Sequence, residues 1–385
     1  MGEKIKVGLI YGGKSGEHAV SLETAFAVLQ SFDYSKYDVL PIYITEKGSW
    51  RKGPYLKAPV ENKKLLLLED DKKDAKASSD KAVISSMPSL STSQQLNDIF
   101  EFHSDENSKG MNAVDVIFPL LHGTNGEDGT IQGMFEMANT PYVGAGVLSS
   151  AMGMDKTVMK KIFAHEGLPQ CIYRYFTKHQ WKKDQSYYLM DVEISIGYPC
   201  FVKPANLGSS VGISKANERE QLIKAIQEAF KYDHKVIVEE FIEAREIEVG
   251  VIGNEEPEVS VLGEIKSSND FYDYKAKYVD GESIMTIPAE VDSDTAEFIQ
   301  KLAIKAFQSI EGTGLSRVDF FIDKSDNKVF INEINTMPGF TPFSMFPLLW
   351  KHTGVPYQEL LDRLIDLAIL RYNEKQELQY GFDVE

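Results

Sequence analysis

Cysteine is nearly absent: Cys171 and Cys200 are the only two in 385 residues. That count supports neither a disulfide framework nor a thiolate zinc site, and it suits a reducing compartment. Long apolar runs are missing as well, and no stretch reaches the roughly 20 residues that a bilayer span needs. The opening, Met1-Gly2-Glu3-Lys4-Ile5-Lys6, runs straight into strand-like sequence without a signal-peptide pattern. Lys6 stands where an N-myristoylation signal needs Ser or Thr. The expected location is the cytoplasm, with no membrane insertion. Positive charge is scarce: 41 Lys and Arg against 58 Asp and Glu leave a formal charge of −17. Such a balance argues against general nucleic-acid binding. It leaves room for a small anionic ligand, which local lysines and loop amides can hold.

The length allows two or three domains, and 43% hydrophobic residues supply substantial cores. Lys4–Tyr11 reads as a buried strand, Gly12–Gly16 as a glycine-rich turn, Val20–Leu29 as a helix and Asp38–Ile44 as a second strand. This βαβ opening predicts an α/β, doubly wound, Rossmann-like N-terminal domain over 1–149. Lys57–Asn112 reads as an insertion, with a short strand at Leu65–Leu68, a polar run at Asp70–Asp80 and a Ser-rich stretch at Ser85–Ser93. Val114–Leu121 returns to strand character, and a domain boundary falls near Gly146–Ser150. Beyond it the pattern gives helices at Asp155–Glu166, Arg219–Tyr232, Thr295–Ile310 and Tyr357–Tyr372. Strands are expected at Tyr198–Lys203, Val236–Glu240 and Glu246–Ile252, and a proline-broken loop at Met337–Pro347.

The richest stretch is Ser316–Asp323 followed, after a polar turn, by Val329–Asn335. Both runs are β-rich, so the pair reads as a hairpin. With a register symmetric about Asp326, Asp319 faces Glu333 and Arg317 faces Asn335. Side chains two apart share a face, so these four converge, while Val318, Phe320, Ile322, Phe330 and Ile334 line the other. Two carboxylates and an amide offer hard oxygen ligands for Mg²⁺, and an arginine beside them can hold a phosphate. A solvated edge hairpin has the same pattern.

Other stretches are two-sided in the same way. Gly208-Ser209-Ser210-Val211-Gly212, following Lys203, suits a loop draped over phosphates or a plain turn between strands. Lys156 opens a helix, where a solvated surface lysine is the default. Glu239 and Glu240 close an apolar strand, where they read a base or mark the exit to solvent. Glu246 precedes alternating Ile247, Glu248 and Val249, the pattern of an edge strand. Phe271–Tyr278 is an aromatic, charged loop, which is a lid or a self-packed segment. Glu17 can bind an amine or favour a helix start. His122 sits at a strand end, where open α/β sheets gather ligands.

Taken in order, YGGKSGEHAVSL, LHGTNGEDGTIQG, MDK, FVKPANLGSSVGISK, VEEF, FYDYKAKY, SRVDFF and INEINTMPGFT resemble the ATP-grasp enzymes, and within them the D-alanine–D-alanine ligases. The match spans nearly the whole chain outside Lys57–Asn112. The resemblance implies a two-lobed ATP-grasp fold after the N-terminal domain, with lobes at 150–245 and 246–385. It also implies ATP-dependent joining of two D-alanines through an acyl phosphate, for peptidoglycan precursors. Lys156, Lys203 and the Ser209, Ser210 and Val211 loop would hold ATP phosphates. Glu239 would meet the adenine amino group, the Glu240, Phe241 and Ile242 backbone the ring, and Glu246 the ribose. Asp319, Glu333 and Asn335 would bind two Mg²⁺ or Mn²⁺, with a monovalent cation such as K⁺ as a further cofactor. Arg317 and the Gly339 amide would stabilise the oxyanion. Glu17 and His122 would hold the first D-alanine, Lys277 and Ser344 the second. Ser209, Tyr278 and Glu17 would join to close the aromatic loop. Homodimerisation is usual in that family. Tyr278 favours D-alanine over D-lactate as acceptor, and Met345 limits the pocket to a small side chain. A D-alanine–D-lactate ligase, another ATP-grasp activity and a nucleotide-binding regulator are the rival readings.

Overall fold

The computed structural model describes residues 3–68, 114–208, 211–266 and 284–379. The chain divides into two compact units, one of residues 1–147, 253–255 and 337–385, the other of 148–252 and 256–336.

The first unit is built on a four-stranded sheet in the order β3-β2-β1-β4. β1 (Ile5–Gly12) lies parallel to both β2 (Tyr37–Ile44) and β4 (Val116–Leu120), and β3 (Trp50–Lys52) closes the edge antiparallel to β2. Its central strands are near-continuous apolar runs, as strands covered on both faces must be. The helix His18–Ser31 buries Val20, Ala25, Val28 and Leu29, spaced as one helical face. Between β1 and that helix the chain turns at Gly12, whose φ is +95°. A Cβ there would stand 2.1 Å from the Ile44 carbonyl oxygen, so only glycine fits.

Leu65–Leu68 is not a strand. Lys63–Leu67 forms a 3₁₀ turn, because the Asn62 side chain accepts from the Lys64 amide and Leu68 adopts a left-handed φ of +43°. Tyr11 then donates to the Leu66 carbonyl at 2.9 Å. The run of leucines thus buries Leu66 and Leu68 without any strand partner. The Met337–Pro347 loop is also shorter than expected. The helix Met345–Thr353 starts inside it, and Pro347 falls in the first turn, where its missing N–H costs nothing.

The second unit carries two antiparallel sheets. One has the order β5-β8-β6-β7, from β5 (Tyr173–Thr177), β6 (Cys200–Pro204), β7 (Ser214–Ala216) and β8 (Lys235–Glu240). Its core of Val202, Val236 and Val238 packs with Leu222 and Ile226 of the helix Arg219–Ala229. The other sheet has the order β11-β10-β9-β12-β13. These strands are β9 (Ala244–Gly253), β10 (Glu258–Lys266), β11 (Ile284–Thr286), β12 (Gly314–Asp323) and β13 (Val329–Asn335). The helix Ser293–Ser309 supplies Ile299, Ala303 and Phe307 to its core. β9 is therefore a central strand, not the edge its alternation suggests. Glu246 and Glu248 alternate with core residues because their face lines a polar cavity.

Register in the β12–β13 hairpin is half as expected. Arg317 pairs with Asn335 and Asp319 with Glu333, but the ladder then shifts and Phe320 pairs with Ile331. Asn332 is thus an extra residue on β13, a β-bulge. On its turn side the faces exchange: Val329 and Ile331 enter the core, and Phe330 is only partly buried.

Candidate functional site

A cavity of about 980 Å³ opens in the second unit, lined by β6, β8, β9, β12, β13 and the start of the helix Lys156–His165. The helix begins where Asp155 caps it, its Oδ1 accepting from the Thr157 and Val158 amides. The Lys156 amide donates to the Ala205 carbonyl at 3.0 Å, pinning that start to the β6–β7 connection. Lys156, Lys203, Glu239, Glu240, Phe241, Ile242, Glu246, Arg317, Asp319, Glu333 and Asn335 all line the cavity. The β6–β7 connection adds Leu207, Gly208 and Ile213, while Val211 sits in its turn and donates to the Gly208 carbonyl at 3.3 Å. The Phe201 and Phe241 rings lie 5.9 Å apart beside the cavity. The Glu240 carboxylate accepts from the Ile172 amide at 2.6 Å, so it is tied back to its own sheet.

At the hairpin, Arg317 donates to both oxygens of Asp319 at 2.7 Å and approaches Glu248 Oε2 at 3.0 Å. Asn335 Nδ2 donates to Asp319 Oδ2 at 3.0 Å, and Lys156 Nζ lies 2.8 Å from Glu333 Oε2. Burial works against the Arg317 charge, but Asp319 and Glu248 outweigh it and hold the guanidinium well above its ordinary value. The donor set is two carboxylates and an amide facing one cavity, each carboxylate matched by a cation. It fits a hard divalent cation such as Mg²⁺. Glu248 was not singled out as functional in the sequence. Its burial beside an arginine is the signal, and only the central position of β9 reveals it.

A second cluster lies at the end of β8. Glu239 is buried between two lysines, with Oε1 3.0 Å from Lys160 Nζ and Oε2 2.5 Å from Lys203 Nζ. Burial alone would push its carboxyl up, yet the two lysines hold it at about 2. Burial likewise opposes the ammonium of Lys160 and of Lys203, and Glu239 outweighs it in both. Lys160 was missed by sequence reading, since a lysine in a helix usually faces water. The usable signal is its place one turn after Lys156, on the same helix face.

The first unit holds Glu17, His122, Gly339 and Ser344. Gly123, at φ +72°, lets Glu17 approach: a Cβ there would stand 2.6 Å from Glu17 Oε2. Ser15 Oγ donates to the His122 carbonyl at 2.7 Å. His122 Nδ1 lies 3.2 Å from the Met337 carbonyl, so it carries the proton, and Nε2 accepts from Thr24 Oγ1 at 3.5 Å. Burial, opposed by Glu17, pulls the His122 value down. Ser344 Oγ accepts from the Thr341 amide at 3.1 Å and stands 3.2 Å from the place a Gly339 Cβ would take. Glu17 and His122 are thus neighbours, as are Gly339 and Ser344. Ser209, Ser210, Lys277 and Tyr278, with the aromatic loop Phe271–Tyr278, lie outside the described residues.

Comparison with known proteins finds relatives along nearly the whole chain. The family described as "D-ala D-ala ligase N-terminus" matches residues 6–145, and "D-ala D-ala ligase C-terminus" matches 162–366. The D-alanine–D-alanine ligase of Bacillus cytotoxicus is 53% identical over 377 residues, covering 98% of this chain and 99% of the relative. That of Geobacillus kaustophilus is 52% identical over 384 residues, covering 99% of each. Among solved structures, the D-alanine–D-alanine ligase of Coxiella burnetii superposes with a TM-score of 0.76 at 31% identity, over 98% of this chain and 97% of that one. The VanG D-Ala:D-Ser ligase of Enterococcus faecalis gives 0.75 at 32% identity, over 95% and 100%. On matches that run the length of both units, the chain belongs to the D-alanine–D-alanine ligase family.

Proposed function

We propose that this chain joins two D-alanines to D-alanyl-D-alanine at the expense of ATP, for cell-wall synthesis. The γ-phosphoryl group passes to a carboxylate oxygen of the first D-alanine, giving an acyl phosphate and ADP. The amine of the second D-alanine then attacks the acyl carbon and loses a proton. The tetrahedral intermediate collapses by breaking its carbon–oxygen bond to phosphate. Phosphorylation is needed because a carboxylate is a poor electrophile, and the acyl phosphate must be kept from water.

One observation carries the reading. Arg317, Asp319, Glu333 and Asn335 face the same cavity as Lys156, Lys203 and Glu239. Cations for phosphates, hard oxygens for a metal and a buried carboxylate for a base amino group are the parts that ATP-driven acyl activation requires. In this reading Lys156 and Lys203 hold phosphates, Glu239 accepts from the adenine amino group, and Glu246 takes the ribose hydroxyls. The Glu240–Ile242 backbone meets the ring, with Phe201 and Phe241 supplying apolar surface. Asp319, Glu333 and Asn335 hold Mg²⁺, which when bound neutralises charge on the transferring phosphoryl group. Arg317 and the Gly339 amide take the role of stabilising the developing oxyanion. Glu17 and His122 hold the first D-alanine, Lys277 and Ser344 the second, and Ser209, Ser210 and Val211 cover the phosphates. Lobes at 150–245 and 246–385, a cytoplasmic location, a homodimer and K⁺ as an accessory ion belong to the same proposal. No helix among the described residues is long and apolar enough to cross a membrane.

The test is phosphate release from ATP and Mg²⁺ with D-alanine, L-alanine, or D-alanine plus D-lactate, with products identified by mass. D-alanyl-D-alanine from D-alanine alone is expected. ATP binding without turnover, or a depsipeptide as the main product, would overturn the reading.

A further inference from the structure

Lys160 is 1% exposed and does not line the cavity, yet its ammonium is bound up with it. Its Nζ lies 3.0 Å from Glu239 Oε1, 3.3 Å from the Asn332 carbonyl oxygen and 3.7 Å from Cys171 Sγ. Nζ donates to the Asn332 carbonyl and to Cys171 Sγ and forms an ion pair with Glu239, so its charge is engaged inside the fold and not at the cavity. Asn332 is the bulge residue of β13, so the bulge that shifts the hairpin register also places a carbonyl against this lysine.

Charge counting gives Lys160 a task. Glu239 has one negative charge and two lysine neighbours, Lys160 on one oxygen and Lys203 on the other. Without Lys160, the cation paired with Glu239 would be Lys203. A buried carboxylate needs a paired cation and satisfied oxygens. Lys203 would then serve Glu239 and be a poor partner for anything else. With Lys160 in place, one positive charge remains in the group and is presented by Lys203, which does line the cavity.

We infer that Lys160 is a positioning residue for the nucleotide, compensating Glu239 from behind so that its carboxylate stays ionised and aimed while Lys203 remains available to phosphate. The inference rests on the proposal that Glu239 reads the amino group of adenine. An ionised carboxylate accepts from that amino group and repels the ring oxygen that replaces it in hypoxanthine. Lys160 therefore acts on base selectivity without touching the base.

The test compares kcat/KM for ATP and for ITP in the full-length enzyme and in E239Q, K160M, K160Q, K160R and K160M/E239Q, with melting temperatures for each. E239Q should lower the ATP-to-ITP ratio about tenfold, the worth of a hydrogen bond to a charged group. K160M should lower the ratio in the same direction and also raise the KM for both nucleotides, as Lys203, already 2.5 Å from Glu239, must offset its charge without Lys160. K160R should keep most of the ratio. The double variant should fall no further than E239Q, since both changes act through one carboxylate. If K160M does not fold, K160Q is read in its place, because it still donates to Glu239 but carries no charge. An unchanged ratio in the folded Lys160 variants, beside a changed one in E239Q, defeats the role of Lys160 alone. A ratio unchanged in E239Q itself defeats the adenine reading. A lysine that merely held the helix in place would lower the melting temperature and leave the ratio where it was.

Discussion

Arg317 grips Asp319 through two parallel hydrogen bonds, each 2.7 Å, from its Nε and one terminal nitrogen. The two residues sit two apart on β12, so their side chains share one face of the strand. The guanidinium occupies both oxygens that a metal would want. In the proposed function a divalent cation at Asp319 would compete with Arg317 for these oxygens, and such an exchange would free the arginine for a negatively charged ligand.

Asp319→Asn removes the charge that makes this exchange favourable. Turnover should fall by about a hundredfold or more, the scale seen when one stabilising group is lost from a polar active site. The Mg²⁺ concentration for half-maximal rate should rise as well. Steady-state rates across a magnesium series check both. Activity within twofold of the parent would take the hairpin out of the mechanism.

The hairpin also shows how far sequence reasoning reaches. A register symmetric about Asp326 paired Asp319 with Glu333 and Arg317 with Asn335, and the structure has both pairs. The same register sent Phe330 to the core, and there it is wrong. Nothing in the local pattern marks Asn332 as an extra residue, because Val329, Phe330 and Ile331 are all apolar and fit either face. Lys160 and Glu248 were illegible for another reason. Each is a charged residue whose partner lies far along the chain, Glu239 and Arg317 respectively. A helix or strand pattern assigns such residues to water unless the partner is known. Leu65–Leu68 failed on a short-range effect, a side-chain cap from Asn62 that turned a β-like run into a 3₁₀ turn. Motif order, by contrast, was fully legible and carried the family.

Glu248 supplies the second anchor of Arg317, at 3.0 Å from Nε, and is itself buried. Glu248→Gln keeps the size and removes the charge, leaving Asp319 as the carboxylate gripped by the guanidinium. Arg317 should then hold Asp319 more tightly and release it less readily. The expected result is a higher magnesium requirement and a kcat lowered about tenfold, with little change in the KM for ATP. An unaltered magnesium dependence would mean that Glu248 only fills space.

Gly12 joins β1 to the first helix at φ +95°, with the Ile44 carbonyl oxygen 2.1 Å from any Cβ added there. The Gly13 amide donates to that same carbonyl at 2.8 Å, and the Gly12 amide donates to Ser21 Oγ at 2.7 Å. Gly12→Ala must therefore break a positive-φ turn and a sheet-end hydrogen bond together. A loss of about 2–4 kcal/mol in urea unfolding is expected. A loss below about 1 kcal/mol would show that the turn can relax at little cost.

His122 makes stability depend on pH in a stated direction. Burial depresses its folded value below the ordinary 6.5, so the neutral ring belongs to the native state. The stability carried by that neutral ring is complete above 6.5. As pH falls below 6.5, the unfolded chain binds a proton that the folded one refuses, and stability drains until the lower folded value is passed. The hydrogen bonds agree, since a ring that donates from Nδ1 to the Met337 carbonyl and accepts from Thr24 at Nε2 has one proton, not two. His122→Gln cannot take up that proton. Urea unfolding at pH 7.5 and at pH 5 should therefore show the parent losing more stability on acidification than the variant does. Carboxylates titrate in both proteins, so the difference between the two losses isolates the histidine. Equal losses would mean that the folded protein takes up the His122 proton as readily as the unfolded chain does, and that burial does not hold the ring neutral.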